Sequence, residues 1–418
     1  MNPTSRDVFA GRSDWGCDMT DARRWGETLP PASVHCLITS PPYYNLRDYG
    51  TKEQIGLEST PEDYVSALVE VFRPLRQALH ARGSFWLNLG DSYCTIPHGT
   101  KGTTVTDRRR GVEMPGSGEC SNRKPLPGVK HKDLLMIPAQ VALALRSDGW
   151  YLRQSMPWVC RNKMPESASD RPSTACETVF LLTREASYFF DMEAVKRPVT
   201  TADSQRTTGT YNTAARYGAR NGGNSGLDDL ARRMKDGTHD TRNMRSGDLW
   251  FDSVGMLLAG HLDDSDDPTV VGLDVTTSQY KGSHFAAFPK ALIRPMIQAG
   301  TSQKGVCPHC GAPWVRKVDS ERVATRTGAD TKVTADTSHG NRDPQRHVTR
   351  TKTVGWEPGC ECRDNTPIPA VVADPFCGSG TTLAVARSLG RRSVGCEISE
   401  EYHKLIAKRV GAVDAPRF

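Results

Sequence analysis

The sequence predicts an α/β protein built on a parallel sheet. Three observations carry that expectation. Strand and helix signals alternate near both ends of the chain, a glycine-rich turn separates a strand from a helix around residue 378, and 418 residues at 37% hydrophobic content suffice for a large core. Residues 33–39 (SVHCLIT) read as a buried strand ending in a proline-rich turn. Thr60 to Asp63 has the form of a capping box, with Pro61 at the first helical position. Val65, Leu68, Val69, Phe72, Leu75 and Leu79 then keep helical spacing, and Pro74 predicts a kink. Strands are expected at 84–89, 151–159, 178–183, 368–373 and 393–396, and helices at 138–147, 381–389 and 400–410.

Composition narrows the class. Lys and Arg number 54 against 48 Asp and Glu, a formal net charge of +6 that permits a polyanionic partner without demanding one. Mean hydropathy is −0.53. No run approaches the roughly 20 apolar residues of a membrane span, so no membrane association is expected. The start, Met1 to Asp7, has no apolar stretch after a basic residue, which predicts a cytoplasmic protein. Its 12 cysteines are then expected as thiols or metal ligands rather than a disulfide framework.

Three polar stretches break the alternation. Residues 97–132 hold eight basic against three acidic residues, with Arg108, Arg109 and Arg110 consecutive. Residues 200–247 are rich in Arg, and 319–353 in Thr, Asp and Arg. Each reads as a solvated, partly disordered insertion, or as mobile charge placed for contact with nucleic-acid phosphates.

The most specific segment is Asp374, Pro375, Phe376, Cys377, Gly378, Ser379, Gly380, Thr381 and Thr382. A glycine-rich turn from strand to helix lets backbone N–H groups approach a ligand closely. It lacks the lysine of a phosphate loop and the third glycine of a dinucleotide fingerprint. Glu397 ends the next strand about 20 residues on, where an acid can hold a ribose diol, so a nucleoside ligand is expected. The short segment around this loop cannot bury a sheet alone. It must dock on residues 1–195, as in a circular permutation of a nucleotide-binding fold.

A second loop, Ser40, Pro41, Pro42 and Tyr43, follows the strand at 33–39 and should face the same crevice. Its rigid turn offers a hydroxyl, carbonyls and a stacking ring to a planar amine-bearing base. Taken with the glycine loop, it resembles the amino-group DNA methyltransferases of the β class, over most of residues 14–196 and 281–410. The likeness extends to Trp86–Ser92, Pro165–Pro172 and His284–Pro289. The family usually has Gly where Cys17 stands and His where Cys176 precedes Glu177.

The resemblance implies a circularly permuted, Rossmann-like sheet that binds S-adenosyl-L-methionine (AdoMet). Asp374 to Thr382 would line the AdoMet pocket, Glu397 would bind its ribose, Asp18 its adenine amine, and Phe285 and Phe288 its methionine part. Tyr43 would stack on a base flipped from double-stranded DNA, while Ser40 and the Pro41 carbonyl accept its amine hydrogens. No cysteine nucleophile is required. Cytosine N4 is the expected target, because Ser heads the tetrapeptide, with adenine N6 the alternative. The implied organisation is a catalytic half at 1–196 with its basic loop 97–132, a target-recognition region at 197–280, a cofactor-covering segment at 281–305, a zinc-binding insertion at 306–364 and an AdoMet-binding half at 365–418. A restriction endonuclease is a further expected partner.

Cys307, Cys310, Cys360 and Cys362 form two hooks that suit tetrahedral Zn²⁺, with Gly311 permitting the knuckle turn. His309 is expected to be a bystander. Two other classes fit parts of the chain: a nicotinamide-dependent oxidoreductase on the same sheet, and a non-catalytic zinc-bearing DNA-binding protein. The first lacks an acid–base His near either loop, and the second leaves Ser40 to Tyr43 unexplained.

Overall fold

A computed structural model describes residues 2–46, 48, 50, 53–94, 105–107, 112–114, 128–160, 170–195, 255–259, 269–274, 289–324, 347–363 and 365–416. The N-terminal unit runs helix α1 (Ser5–Phe9), strand β1 (Trp15–Met19), helix α2 (Ala22–Trp25), β2 (Val34–Thr39), α3 (Pro61–Ala78) and β3 (Leu79–Leu89). A short hairpin follows, β4 (Val105–Asp107) with β5 (Val112–Met114). Then come α4 (Ile137–Ser147), β6 (Tyr151–Val159), β7 (Cys176–Thr183), β8 (Gly255–Ala259) and β9 (Thr269–Asp274). The remainder is α5 (Lys290–Gly300), β10 (Val315–Ala324), β11 (His347–Glu357), β12 (Val371–Asp374), α6 (Thr381–Ser388), β13 (Arg392–Glu397) and α7 (Glu400–Gly411).

One sheet organises the described residues, in the order β1-β13-β12-β2-β3-β7-β6-β9-β8. The C-terminal strands β12 and β13 lie between β1 and β2, all in parallel. The docking expected from chain economy is therefore present: neither end of the chain has a complete sheet without the other. The expected all-parallel sheet is corrected, since β7 runs antiparallel to both β3 and β6. Strands β8 and β9, from within 197–280, extend the same sheet where β9 pairs with β6.

Helices cover both faces, which is why the parallel strands read as unbroken apolar runs. Every residue of β2 is buried. Leu37, Phe85 and Ala373 point to the side covered by α3 and α4. Cys36, Ile38, Trp86 and Val372 point to the side covered by α5 and part of α6. Helix α3 begins where expected: the Thr60 hydroxyl accepts from the Asp63 amide and Pro61 opens the first turn. Its buried stripe is Tyr64, Leu68, Val71, Phe72 and Leu75, with each large side chain contributing about 1.5–3 kcal/mol of burial. Val65 and Val69, expected in that stripe, are only partly buried, and the helix continues through Pro74 to Ala78.

One further expectation changes. Part of 319–353 is regular: β10 and β11 pair as an antiparallel ribbon from Val315↔Glu357 to Ala324↔His347. From Lys290 onward the expected cofactor-covering segment is helix α5, whose Leu292, Ile293, Met296 and Ile297 fill the core beneath β2 and β3. Most of the basic loop 97–132, and all of 200–247, lie outside the described residues.

Candidate functional site

The loops after β1, β2, β3, β12 and β13 all leave one edge of the sheet, because those strands are parallel. Running antiparallel to β3, β7 brings its first residues to that same edge. This is where open α/β sheets bind ligands. Ser40 to Tyr43, Asp374 to Thr382, Asp18 and Glu397 are thereby brought together from both ends of the chain. Phe285 and Phe288 lie outside the described residues.

Asp374 closes β12 and is fully buried. Its carboxylate accepts the Thr39 hydroxyl at 2.7 Å and the Phe376 amide at 3.0 Å. Burial pushes its pKa up to about 6 against those hydrogen bonds. Although the sequence places Asp374 at the start of the glycine loop, the residue belongs to the core. Beyond it, Gly378 and Gly380 have φ of +49° and +76°, which glycine adopts without the Cβ penalty. A Cβ on Gly378 would meet nothing within 4 Å, so open space lies above the turn. Thr381 opens α6; its hydroxyl is buried and has no hydrogen-bond partner among the described residues. Pro375 and Cys377 turn inward, their carbonyl and thiol engaged with Cys396 and Asp374. Burial pushes the Cys377 thiol well above its usual range, which disfavours the thiolate. Ser379 is held by Arg409, and Thr382 is fully buried.

Glu397 ends β13 and accepts the Gly378 amide at 2.8 Å and the Ser399 amide at 2.9 Å. Burial raises its pKa to about 7. Asp18 sits one residue before Met19, the register partner of Glu397. Its carboxylate accepts the Trp25 indole N–H at 2.8 Å and the Ser5 amide at 3.2 Å, so it anchors α1 and α2.

The Ser-Pro-Pro-Tyr loop has more polar company than the sequence disclosed. The Tyr43 hydroxyl donates to Glu177 at the start of β7. The Asn88 amide, near the end of β3, donates to the Tyr43 hydroxyl at 2.7 Å and to Glu177 at 2.9 Å. Ser40 lies within 3.1 Å of the same hydroxyl. Burial and the neighbouring Glu177 push Tyr43 well above the usual phenol range. The Tyr64 hydroxyl donates to the Pro42 carbonyl at 2.8 Å and fixes the turn, while Pro41 is buried. Asn88 and Glu177 were not singled out from sequence. The signal available was Asn88 late in the run SFWLNL, a polar side chain whose burial in a core strand calls for hydrogen-bond partners.

The four sulfur atoms of Cys307, Cys310, Cys360 and Cys362 lie within 4.8 Å of one another. A tetrahedral zinc with arms near 2.3 Å needs ligand atoms about 3.8 Å apart, so this set fits. Burial opposes ionisation of Cys307, yet the backbone N–H groups of Cys310 and His309 and the adjacent thiols bring its pKa down to about 7. The cluster sits at the opposite edge of the sheet. The Cys310 carbonyl meets the ring of His80, which stacks on His35, and these residues lie near the starts of β3 and β2. The length of β2, about 20 Å at 3.3 Å per residue, separates it from Ser40. It also closes the base of the β10–β11 ribbon, which docks through Arg316 on Asp191 (2.9 Å) and Thr351 on Glu193 (2.8 Å).

Comparison with known proteins gives the family. A family described as DNA methylase, acting at N6 and N4, matches residues 34–310 and 363–409. The type II methyltransferase M.XycI of Xanthomonas campestris pv. cyanopsidis is 30% identical over 383 residues, covering 91% of this chain and 83% of that one. M.SmaI of Serratia marcescens, also a type II methyltransferase, is 29% identical over 391 residues, covering 93% and 88%. A solved structure, the cytosine-N4-specific PvuII DNA methyltransferase, aligns with a TM-score of 0.45 at 14% identity, covering 95% of this chain and 86% of that one. Family membership decides against the nicotinamide and non-catalytic readings. With its glycine loop and its Ser-Pro-Pro-Tyr loop at one sheet edge, the chain belongs to the N6/N4 DNA methylases, the amino-group DNA methyltransferases.

Proposed function

We propose that the protein methylates cytosine N4 at a specific site in double-stranded DNA, using AdoMet. The observation that carries the choice of base is Ser40. A neutral hydroxyl heads the tetrapeptide, held beside the Tyr43 hydroxyl, where a carboxylate would be the stronger acceptor for an amine. Adenine N6 is the alternative product. Digesting DNA methylated by the pure enzyme to nucleosides, and separating them by mass, decides the matter. N4-methyl-2′-deoxycytidine supports the proposal and N6-methyl-2′-deoxyadenosine as sole product overturns it.

AdoMet, when bound, supplies an electrophilic methyl group to the amine's lone pair. The residues present fit it: open space above Gly378, the unpartnered Thr381 hydroxyl at a helix start, and a carboxylate at Glu397. Glu397 would take the ribose hydroxyls, Asp18 the adenine amine, and Pro375 to Thr382 the remaining wall. Tyr43 would stack on the flipped base while Ser40 and the Pro41 carbonyl accept the amine hydrogens. Asn88 and Glu177 hold the Tyr43 ring in one orientation before the base arrives. Bringing two bound reactants into line in this way supplies much of the rate enhancement.

Zn²⁺ in the four-cysteine site would be structural, because four protein thiolates leave no open coordination position. We assign target recognition to 197–280, cofactor cover to 281–305, and phosphate contact to the basic stretch 97–132. The relatives' type II designation motivates a restriction endonuclease as partner, and a DNA substrate supports a cytoplasmic location. Among the described residues no helix is long and apolar enough to cross a membrane.

A further inference from the structure

Beside the catalytic loop, two large apolar side chains stand out of the surface. Leu134 is 41% and Met136 52% exposed, while Leu135 and Ile137, alternating with them, are buried. Single exposed apolar residues need no explanation. This pair is set apart by its backbone. Met136 has φ +54° and ψ +35°, and Lys132 has φ +73°, the left-handed region that side-chain-bearing residues seldom occupy. The surrounding hydrogen bonds enforce this geometry. Lys132 N donates to the Cys94 carbonyl at 2.7 Å, Cys94 N to the Asp133 carbonyl at 2.8 Å and Leu135 N to the Ser92 carbonyl at 2.9 Å. The Asp91 carboxylate accepts the Ile137 amide at 3.0 Å and the Ser92 amide at 2.9 Å.

That framework leads directly to the target pocket. Residues 91–94 continue from Gly90, whose backbone lies against the Tyr43 ring: a Cβ there would come within 2.6 Å of Tyr43 Cε2. The protruding pair is therefore one short hydrogen-bonded strand away from the ring that faces the base. Lys130, His131 and Lys132 lead into it, all exposed, with Lys132 paired to Asp170 at 2.6 Å.

We propose that Met136, with Leu134 beside it, is the wedge that enters the DNA stack as the target base leaves. This rests on the base-flipping reading given under Proposed function. Extruding a base opens a gap between its neighbours and sacrifices stacking. An apolar side chain inserted there restores contact, and proteins that unstack DNA commonly use Met or Leu in this way. Methionine suits the task because its unbranched, polarisable chain adapts to an irregular gap. The enforced backbone keeps the side chain out in water, where free insertion requires little further ordering.

Met136→Gly tests this, since glycine removes the wedge and also suits the left-handed backbone. Met136→Leu keeps an apolar side chain. Both are compared with wild type on a short duplex carrying a site the wild type methylates, and on the same duplex with an abasic position opposite the target base. The expected result for Met136→Gly is a loss of about tenfold or more in kcat/KM on the matched duplex, shrinking to within about threefold of wild type where the base is already unpaired. Met136→Leu should stay close to wild type on both, and AdoMet affinity should not change. Wild-type rates for Met136→Gly on the matched duplex, or equal losses on both duplexes, would overturn the wedge. A wild-type protein that methylates no site in genomic DNA overturns the reading of the site itself, an outcome distinct from those two.

Discussion

The Thr39 hydroxyl donates to the Asp374 carboxylate across 2.7 Å, joining residues 335 positions apart. Thr39 immediately precedes Ser40 and Asp374 begins the glycine loop, so one buried hydrogen bond sets the spacing between the two halves of the site.

Thr39→Val should therefore cost about 1.5–3 kcal/mol, the range for a buried hydrogen bond to a charged group. The cost depends on pH. The folded pKa of Asp374 is raised to about 6, so the stability this group lends is complete near pH 4 and lost as pH rises through 6. Removing the donor penalises the ionised form further. Urea denaturation should show the variant's deficit growing between pH 5 and pH 8, and a deficit independent of pH would contradict the assignment.

Glu397 predicts a pH dependence of cofactor binding. Its pKa near 7 in the free protein falls once ribose hydroxyls donate to it, so AdoMet affinity should rise with pH between 6 and 8. Proton release should accompany binding at pH 7, measurable by calorimetry in buffers of different ionisation enthalpy. Glu397→Gln should bind AdoMet more weakly at pH 8 and lose most of that proton release. Unaltered affinity and proton release would remove Glu397 from the pocket.

Protein purified without chelator should carry about one zinc per chain. Cys307→Ala should lose the metal and lower the thermal midpoint. AdoMet affinity should change little in the folded variant, because the cluster lies at the far edge of the sheet. Full zinc retention in Cys307→Ala would contradict the four-cysteine site.

Tyr43→Phe keeps a stacking ring but loses the hydroxyl that binds Asn88 and Glu177. Single-turnover methylation should slow by about tenfold with AdoMet affinity unchanged, and Tyr43→Ala should lose far more. Equal rates in the phenylalanine variant and wild type would show that the hydroxyl network does not position the ring.

Both loops of the site were legible in the sequence because their chemistry is local. Gly378 and Gly380 must be glycine for their own backbone angles, and Pro41 and Pro42 stiffen their own turn. The strands β2 and β13 were legible for the same reason, since burial on both faces leaves its mark within the segment itself. The four cysteines carried their hooks within five residues at most on either side of the ribbon.

What the sequence could not decide were the properties that depend on distant partners. The antiparallel placement of β7 brings Glu177 to Tyr43, yet nothing in residues 176–183 encodes strand direction. The sequences of β10 and β11 are mostly polar and lack the periodicity that reveals a strand; cross-strand pairing and docking on Asp191 and Glu193 define the ribbon instead. Asp374 looked like a loop residue because its burial is produced by β2, which the chain completes more than 300 residues earlier. The chemistry of each loop is written in its own residues, while the distances and burial that tune it arise from strands brought together in space. Those pairings follow from the total apolar area the sheet can bury, a sum over the whole chain that no single segment records.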